Sequence, residues 1–207
     1  MTGQRRAHVK ARRTKGKERE ELLVEAATQA IVERGLANVR IADIADLAGM
    51  TPGHVTYYFP SKIDLLMRAI SVSEEALAAN VAQKLARVQD PWKRLDKLVE
   101  LSAASGRGDA GWVLWFQVWS EAARDTDVAR VHDELDARWR GILTDVIRYG
   151  GEKGAFATKD PEESALLLSS TIDGLSIHLT VGSPDVSRAR LLRLSRAAAE
   201  AYLSPER

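Results

Sequence analysis

The chain has 207 residues, 45% of them hydrophobic, no cysteine, and a formal net charge of +1. That length suffices for one large domain or two small ones with a buried core, and the lack of cysteine excludes disulfides and thiolate metal or redox centres. No apolar run approaches the ~18 residues that cross a bilayer, and the basic N-terminus lacks the apolar segment of a secretory signal, so a cytoplasmic protein is expected.

The small net charge conceals an asymmetry. Arg5, Arg6, Lys10, Arg12, Arg13, Lys15, Lys17 and Arg19 stand at the start against only Glu18 and Glu20. Residues 1–17 read as a flexible basic arm. It either touches DNA phosphates, where basic patches gain affinity by displacing counterions, or is a solvated tail.

The first helix is expected over Glu18–Arg34. Leu22, Ala26 and Ala30, with Leu23, Ala27 and Ile31, recur at a spacing of four and make its apolar face. Gly35 suits its C-terminal stop. A short second helix follows over Ile41–Ala48, with Ile41, Ile44, Ala45 and Ala48 inward. Gly49 permits a tight turn. Thr51 is a good N-cap and Pro52 a good first helical residue, so a third helix should start there and end near Phe59-Pro60. Ser61, with Asp64 three residues on, forms a capping-box pattern for a fourth helix reaching about Val88. Small Ala45, the Gly49 turn and inward Val55 together give the layout of a helix-turn-helix DNA reader.

The same punctuation continues downstream. Asp90-Pro91 opens a helix to about Ser105, and Gly106–Gly111 is a connector. Helices follow over Gly111–Arg124 and Thr126–Gly150, broken at Gly150, Gly151 and Gly154. Asp160-Pro161, with Glu163, opens a helix to about Val181. After Gly182–Asp185 comes the last, Val186–Leu203. No segment alternates as a strand does. The fold class is all-α with about nine helices. Residues 18–64 form a DNA-binding domain and residues 65–207 a helical ligand-binding and dimerisation domain.

Trp112, Trp115, Phe116 and Trp119 sit at spacings of three and four on one broad helix face. Such a cluster either lines a cavity for an apolar or aromatic ligand or packs as core. Trp139, Phe156 and Trp92 are candidates to join it, with Gln117, Asp173 and His178 as orienting polar groups. Asp173, an acid in an apolar helix, needs a partner: a cap, a bridge across a dimer, or a ligand cation. His8, His54, His132 and His178 lack metal-ligand spacing, and neither a phosphate loop nor a nucleophile elbow appears. His132-Asp133-Glu134 reads as a solvated charged run. No catalytic residue, metal or cofactor is expected, and an enzyme is rejected.

Ile41-Ala42-Asp43-Ile44-Ala45, Ala48-Gly49-Met50-Thr51, Gly53 and Tyr57-Tyr58-Phe59-Pro60-Ser61-Lys62 together resemble the tetracycline-repressor (TetR) family of one-component transcription regulators. The likeness is specific over about residues 18–68. Beyond it, Trp112 onward, Asp160-Pro161-Glu162 and Asp173-Gly174-Leu175 look like the C-terminal domain of the BetI-like branch. The resemblance implies that Thr51–Tyr58 lies in the major groove, with Pro52, Gly53 and Thr56 on the recognition helix. His54 and Tyr57 would face base edges, and Arg40, Thr51, Tyr57 and Lys62 would hold phosphates. Pro52 and Thr56 depart from the residues the family often carries there.

The same resemblance implies a homodimer reading a palindrome through two helices about 34 Å apart. The last two helices would pair, one face formed by Leu166, Leu167, Ser170, Gly174 and Ile177, the other by Leu191, Leu194, Ser195, Ala198, Ala199 and Tyr202. Ile177 also reaches toward the ligand region formed by Trp112, Trp115, Phe116, Trp119, Trp139 and Asp173. The implied function is a repressor that binds a palindromic operator and is released by a small apolar or aromatic ligand. The alternatives are a DNA-bound interaction protein, such as a nucleoid or division factor, and a ligand-independent regulator. Expected partners are operator DNA, a second copy of the chain and a small effector, with no membrane.

Overall fold

The computed structural model describes residues 2–203, with side chains from residue 16 onward. Among the described residues it is all helix and connector: α1 (Thr2–Arg34), α2 (Ile41–Leu47), α3 (Pro52–Tyr58), α4 (Lys62–Ala86), α5 (Pro91–Ser102), α6 (Ala110–Ala122), α7 (Thr126–Glu152), α8 (Pro161–Thr180) and α9 (Arg188–Leu203). Two compact units divide inside α4, between Ser73 and Glu74. No helix among the described residues is long and apolar enough to cross a membrane.

α1 starts at Thr2, well before the expected Glu18. The reason is composition: the segment has no proline, and Arg, Lys and Ala carry a helix well, so Gly3 and Gly16 do not stop it. The contacts of the basic side chains before Gly16 lie outside the described residues. Downstream, Leu23, Ala27 and Ala30 are fully buried and Ala26 and Ile31 nearly so, whereas Leu22 is half exposed. The inward stripe is therefore narrower than a strict spacing of four suggests, because 3.6 residues per turn carries Leu22 off the face. Gly35 ends α1 at φ 75°, the left-handed conformation expected of a C-terminal glycine.

The first unit closes around Leu23, Ile44, Ala45, Val55, Leu65 and Leu66, all fully buried. Asp43 ties α2 down twice. Its carboxylate accepts the Arg40 amide at 3.0 Å and pairs with Arg34 of α1 at 2.9 Å. Gly49 takes φ 62° in the turn before α3, which an L side chain adopts only with strain. Thr51 caps α3 by accepting the His54 amide at 3.3 Å. Ser61 and Asp64 exchange side-chain and amide hydrogen bonds at 3.1 and 3.2 Å, the expected capping box.

The second unit packs α5, α7, α8 and α9 around Leu95, Ile147, Ala165, Leu168 and Leu191. Four of its helices, α5 to α8, begin at aspartates. Asp90, Asp125 and Asp160 each accept amides from the following turn at 2.8–3.2 Å, and Asp109 accepts the Trp112 amide at 3.1 Å. Gly150 and Gly151 do not break the chain: α7 runs through them to Glu152, and the reversal falls at Gly154, φ 69°. Gly150 serves packing instead. A Cβ there would stand 1.9 Å from the Phe156 ring, which folds back under the helix and meets Trp92 edge to face at 4.6 Å.

Gly150→Ala is accordingly expected to lower stability. Displacing the buried Phe156 ring costs about 1–3 kcal/mol, more than the ~1 kcal/mol alanine returns in helix propensity. A drop in the urea midpoint measures it, with Gly151→Ala, where a Cβ meets nothing within 4 Å, as the reference that does not drop.

Candidate DNA-reading surface and effector cavity

α3 is held from behind and open in front. Val55 is fully buried and Phe59, just past the helix, is 8% exposed; both pack inward. Tyr58 is half-buried. Thr51, Pro52, Gly53, His54, Thr56 and Tyr57 are all exposed, Tyr57 at 77%. The Tyr57 ring meets Tyr58 edge to face, centroids 5.2 Å apart, and leaves the rest of its surface in water. Thr56 already donates its hydroxyl to the carbonyls of Pro52 and Gly53 at 3.3 and 3.2 Å, so it offers an outside partner acceptor capacity only. A Cβ at Gly53 would meet nothing closer than Thr51 Oγ1 at 3.9 Å. The chain itself therefore does not demand glycine there. Arg40 is exposed at the start of α2. Lys62 is more constrained than its expected phosphate role suggests: its ammonium donates to the Val39 carbonyl at 3.1 Å, tying α4 to the loop before α2 and leaving its other donors for a second partner.

In the second unit α4, α5, α6, α7 and α8 enclose a cavity of about 250 Å³. Trp112, Trp115 and Trp119 of the spaced cluster line it, together with Trp139 and Asp173. Phe116 and Ile177 do not. Phe116 lies on the outer side of the cluster against Trp119, centroids 5.9 Å apart, and Ile177 sits exposed on α8. Trp92 and Phe156 pair with each other elsewhere in the core, and Gln117 and His178 also stay out of the lining.

The indoles are anchored by their edges. Trp112 Nε1 donates to the Ser102 carbonyl at 3.3 Å, Trp119 Nε1 to His132 Nε2 at 2.9 Å, and Trp139 Nε1 to Glu74 Oε2 at 2.9 Å. With those N–H groups engaged, what these rings offer a ligand is aromatic surface.

Sequence reading missed the polar half of the wall: Glu74, Asp109, His132, Asp136 and Arg140. The signal was present. His132, Asp136, Trp139, Arg140 and Leu143 recur at three and four along α7 and share one face, which the charged neighbours Asp133 and Glu134 obscure. Two of the acids are already engaged. Asp109 caps α6 and also accepts the Ser105 amide and hydroxyl at 2.9 and 2.5 Å. Burial pushes its carboxyl up, but these hydrogen bonds outweigh it and hold the pKa below the usual range. Asp136 is ion-paired with Arg140.

Glu74 and Asp173 differ. Neither forms an ion pair among the described residues. Burial raises the Glu74 pKa, with the Trp139 hydrogen bond opposing. Burial also raises Asp173 to about 6, against the lowering fields of Arg140 and His132. The cavity is thus more acidic than the aromatic stripe alone suggested: its lining combines indole faces with two under-compensated carboxylates.

The expected dimer faces are partly confirmed as surface. Leu166, Leu167, Ser170, Ile177 and Tyr202 are exposed, and Gly174, Leu194 and Ala198 are half-buried. Val181, 60% exposed, extends the apolar strip beyond the residues named from sequence. Leu191 and Ser195 are fully buried and Ala199 1% exposed. They face inward from α9 into the unit's own core, out of a second chain's reach.

A chain that carries an exposed helix-turn-helix in one unit and a lined cavity in a second, all-helical unit has the make-up of a one-component DNA-binding regulator. Comparison with known proteins makes this specific. Residues 23–69 match the bacterial regulatory proteins of the tetR family, and residues 91–204 match the BetI-type transcriptional repressor C-terminal domain. The chain belongs to the TetR family of transcriptional regulators, with a BetI-type C-terminal domain, and is not an enzyme. The HTH-type transcriptional regulator BetI of Rhizobium meliloti (strain 1021) is 27% identical over 186 residues, 89% of each chain. A transcriptional regulator from Saccharomonospora viridis, crystallised in complex with choline, is 30% identical with a TM-score of 0.76, covering 92% of this chain and 100% of that one. A TetR regulator from Haloarcula marismortui ATCC 43049 shares the fold at 24% identity and TM-score 0.70, covering 90% and 96%.

The burial of Asp173 has a measurable sign. Its folded-state pKa of about 6 lies above the ordinary 3.8, so the ionised form opposes folding as pH rises through that interval and the cost is absent in acid. Asp173→Asn should raise the melting temperature at pH 7.5, by the equivalent of about 1–2 kcal/mol, and leave it nearly unchanged at pH 4. Thermal melts of the ligand-free protein at both pH values check this.

Proposed function

We propose that the protein is a cytoplasmic homodimeric repressor, that it binds a palindromic operator through α3, and that a small organic cation releases it. In this reading residues 18–64 read DNA and residues 65–207 sense the ligand and dimerise. The observation that carries the effector class is the pair of buried carboxylates, Glu74 and Asp173, without ion-pair partners inside a wall of indoles. A neutral apolar ligand would leave both charges uncompensated. A quaternary ammonium satisfies them and also gains from the aromatic faces, where each desolvated cation–π contact contributes about 1–2 kcal/mol. The choline held by the Saccharomonospora viridis relative is such a cation, and a cavity of about 250 Å³ suits a ligand of that size.

The DNA side rests on the exposed face of α3. Tyr57, His54 and the bare backbone at Gly53 present base-edge and close-approach capacity, while Arg40, Thr51 and the spare donors of Lys62 hold phosphates. The strip formed by Leu166, Leu167, Ser170, Ile177 and Val181 on α8 with Tyr202 on α9 is the dimer face, since an apolar strip of that extent is otherwise left in water. α4 supplies Leu65 and Leu66 to one core and Glu74 and Leu77 to the cavity, so cation binding at Glu74 acts on a helix that the reading head also uses. Release follows only to the extent that the cation binds the DNA-incompetent state more tightly.

Sequencing genomic fragments retained by the purified protein at physiological salt is expected to return a few palindromic sites. Choline should displace the protein from them, and Asp173→Asn should need at least tenfold more choline for the same release. Retention of fragments scattered without a common palindrome, or indifference to choline and other quaternary ammonium ions, overturns the respective half of the reading. Tyr57→Ala is expected to abolish specific retention while lowering the melting temperature only slightly, because the ring lies 77% exposed and loses only its edge-to-face contact with Tyr58.

A further inference from the structure

One wall of the cavity depends on a ring being uncharged. Trp119 Nε1 donates to His132 Nε2 at 2.9 Å. An indole N–H is a donor only, so that imidazole nitrogen is the bare one. The ring proton then lies on Nδ1, 3.2 Å from Asp133 Oδ1, which accepts it. The same imidazole meets Trp115 edge to face with centroids 6.0 Å apart, and Trp115 and Trp119 lie 6.4 Å apart. His132, its side chain 21% exposed, therefore stands at the junction of two cavity tryptophans, and its tautomer is set by a carboxylate behind it.

A proton added at Nε2 turns the acceptor into a donor. Two donors then oppose each other, and the Trp119 edge must find another partner. The charged groups around this imidazole come from several elements. Asp133, Asp136 and Arg140 share α7; Asp173 faces it from α8 and feels its charge; Glu74 from α4 and Asp109 before α6 line the same space. Imidazole is the side chain whose charge changes between about pH 5 and 8.

We propose that His132 is the positioning residue of the effector cavity: its neutral form holds Trp119 against Trp115 as an aromatic wall, and its protonation releases Trp119 and weakens binding of a cationic effector. This rests on the cationic-effector reading above. Loss of the wall and gain of a positive charge act in the same direction, so the regulator senses the cation less well in acid and stays on its operator.

His132→Gln separates this from the titration of Asp173, since a carboxamide oxygen accepts the Trp119 N–H at every pH and takes up no proton. The full-length protein is compared at pH 8 and pH 5.5 with two readouts. The first is the Trp119 indole N–H resonance of the ligand-free protein, assigned by its absence in Trp119→Phe. The second is the dissociation constant for choline by calorimetry. The resonance is expected to move with pH in the wild-type protein and to stay fixed in His132→Gln. Both proteins lose choline affinity as Asp173 protonates, and the wild type is expected to lose about fivefold more, the worth of one hydrogen bond. A wild-type resonance that does not move, or equal losses of affinity in the two proteins, overturns the proposal. A moving resonance with no choline binding at either pH supports the His132 contact and overturns the cationic-effector reading instead.

Discussion

Everything in this molecule hangs on where helices are allowed to start. A chain built of helices leaves amides without partners at each N-terminus, and here side chains meet that need: Thr51 for α3, Ser61 with Asp64 for α4, then Asp90, Asp109, Asp125 and Asp160 for α5 to α8. Each cap is worth about 1 kcal/mol, a small term for stability but a decisive one for geometry. Moving the start of α3 by one residue rotates its face by about 100° and would turn Val55 outward and Tyr57 inward. The cap at Asp109 similarly sets which edge of α6 carries Trp112, Trp115 and Trp119 into the cavity.

The cavity works against the stability of the fold that surrounds it. Glu74 and Asp173 are largely withdrawn from water and form no ion pair among the described residues, an arrangement that costs free energy in the ligand-free state. The surrounding contacts hold it open: Trp139 braces Glu74 at 2.9 Å, and the Asp136–Arg140 pair withdraws the nearest guanidinium into a partnership of its own. A ligand that supplies positive charge relieves the strain. Recognition by relief of an unfavourable burial discriminates by charge more sharply than packing alone, since a neutral molecule of equal shape gains nothing from it. His132 belongs to the same network of hydrogen bonds, because its acceptor nitrogen engages the N–H of a wall tryptophan.

Local signals carried much of the reading. Helix order, the glycine turn at 49, the helix openings at Thr51, Ser61, Asp90 and Asp160 and the inward turn of Val55 were legible because each depends on residues within one turn of one another. Where the reading failed, the cause was non-local. Gly150 looked like a breaker and is a seat for Phe156, a contact that depends on the chain reversing at Gly154. Leu191 and Ser195 shared a period with Leu194 and Ala198, yet a period names a stripe without saying which neighbour covers it. Ile177 and Phe116 occupy the right helices and the wrong sides of them. The tie from Lys62 to the Val39 carbonyl, 23 residues away, is of the same non-local kind.

By itself, the sequence determined an all-helical chain, the capped starts of α3, α4, α5 and α8, the exposed face of α3 and the family, because capping, periodicity and turn chemistry act over a few residues. Only the tertiary structure decided that the tryptophan cluster lines a space instead of filling it, and that Glu74, His132, Asp136 and Arg140 from two other helices complete the wall beside Asp173. Cavity polarity is a property of side chains that converge from distant positions, and burial, which raises the Asp173 and Glu74 carboxyls, exists only after those helices have packed.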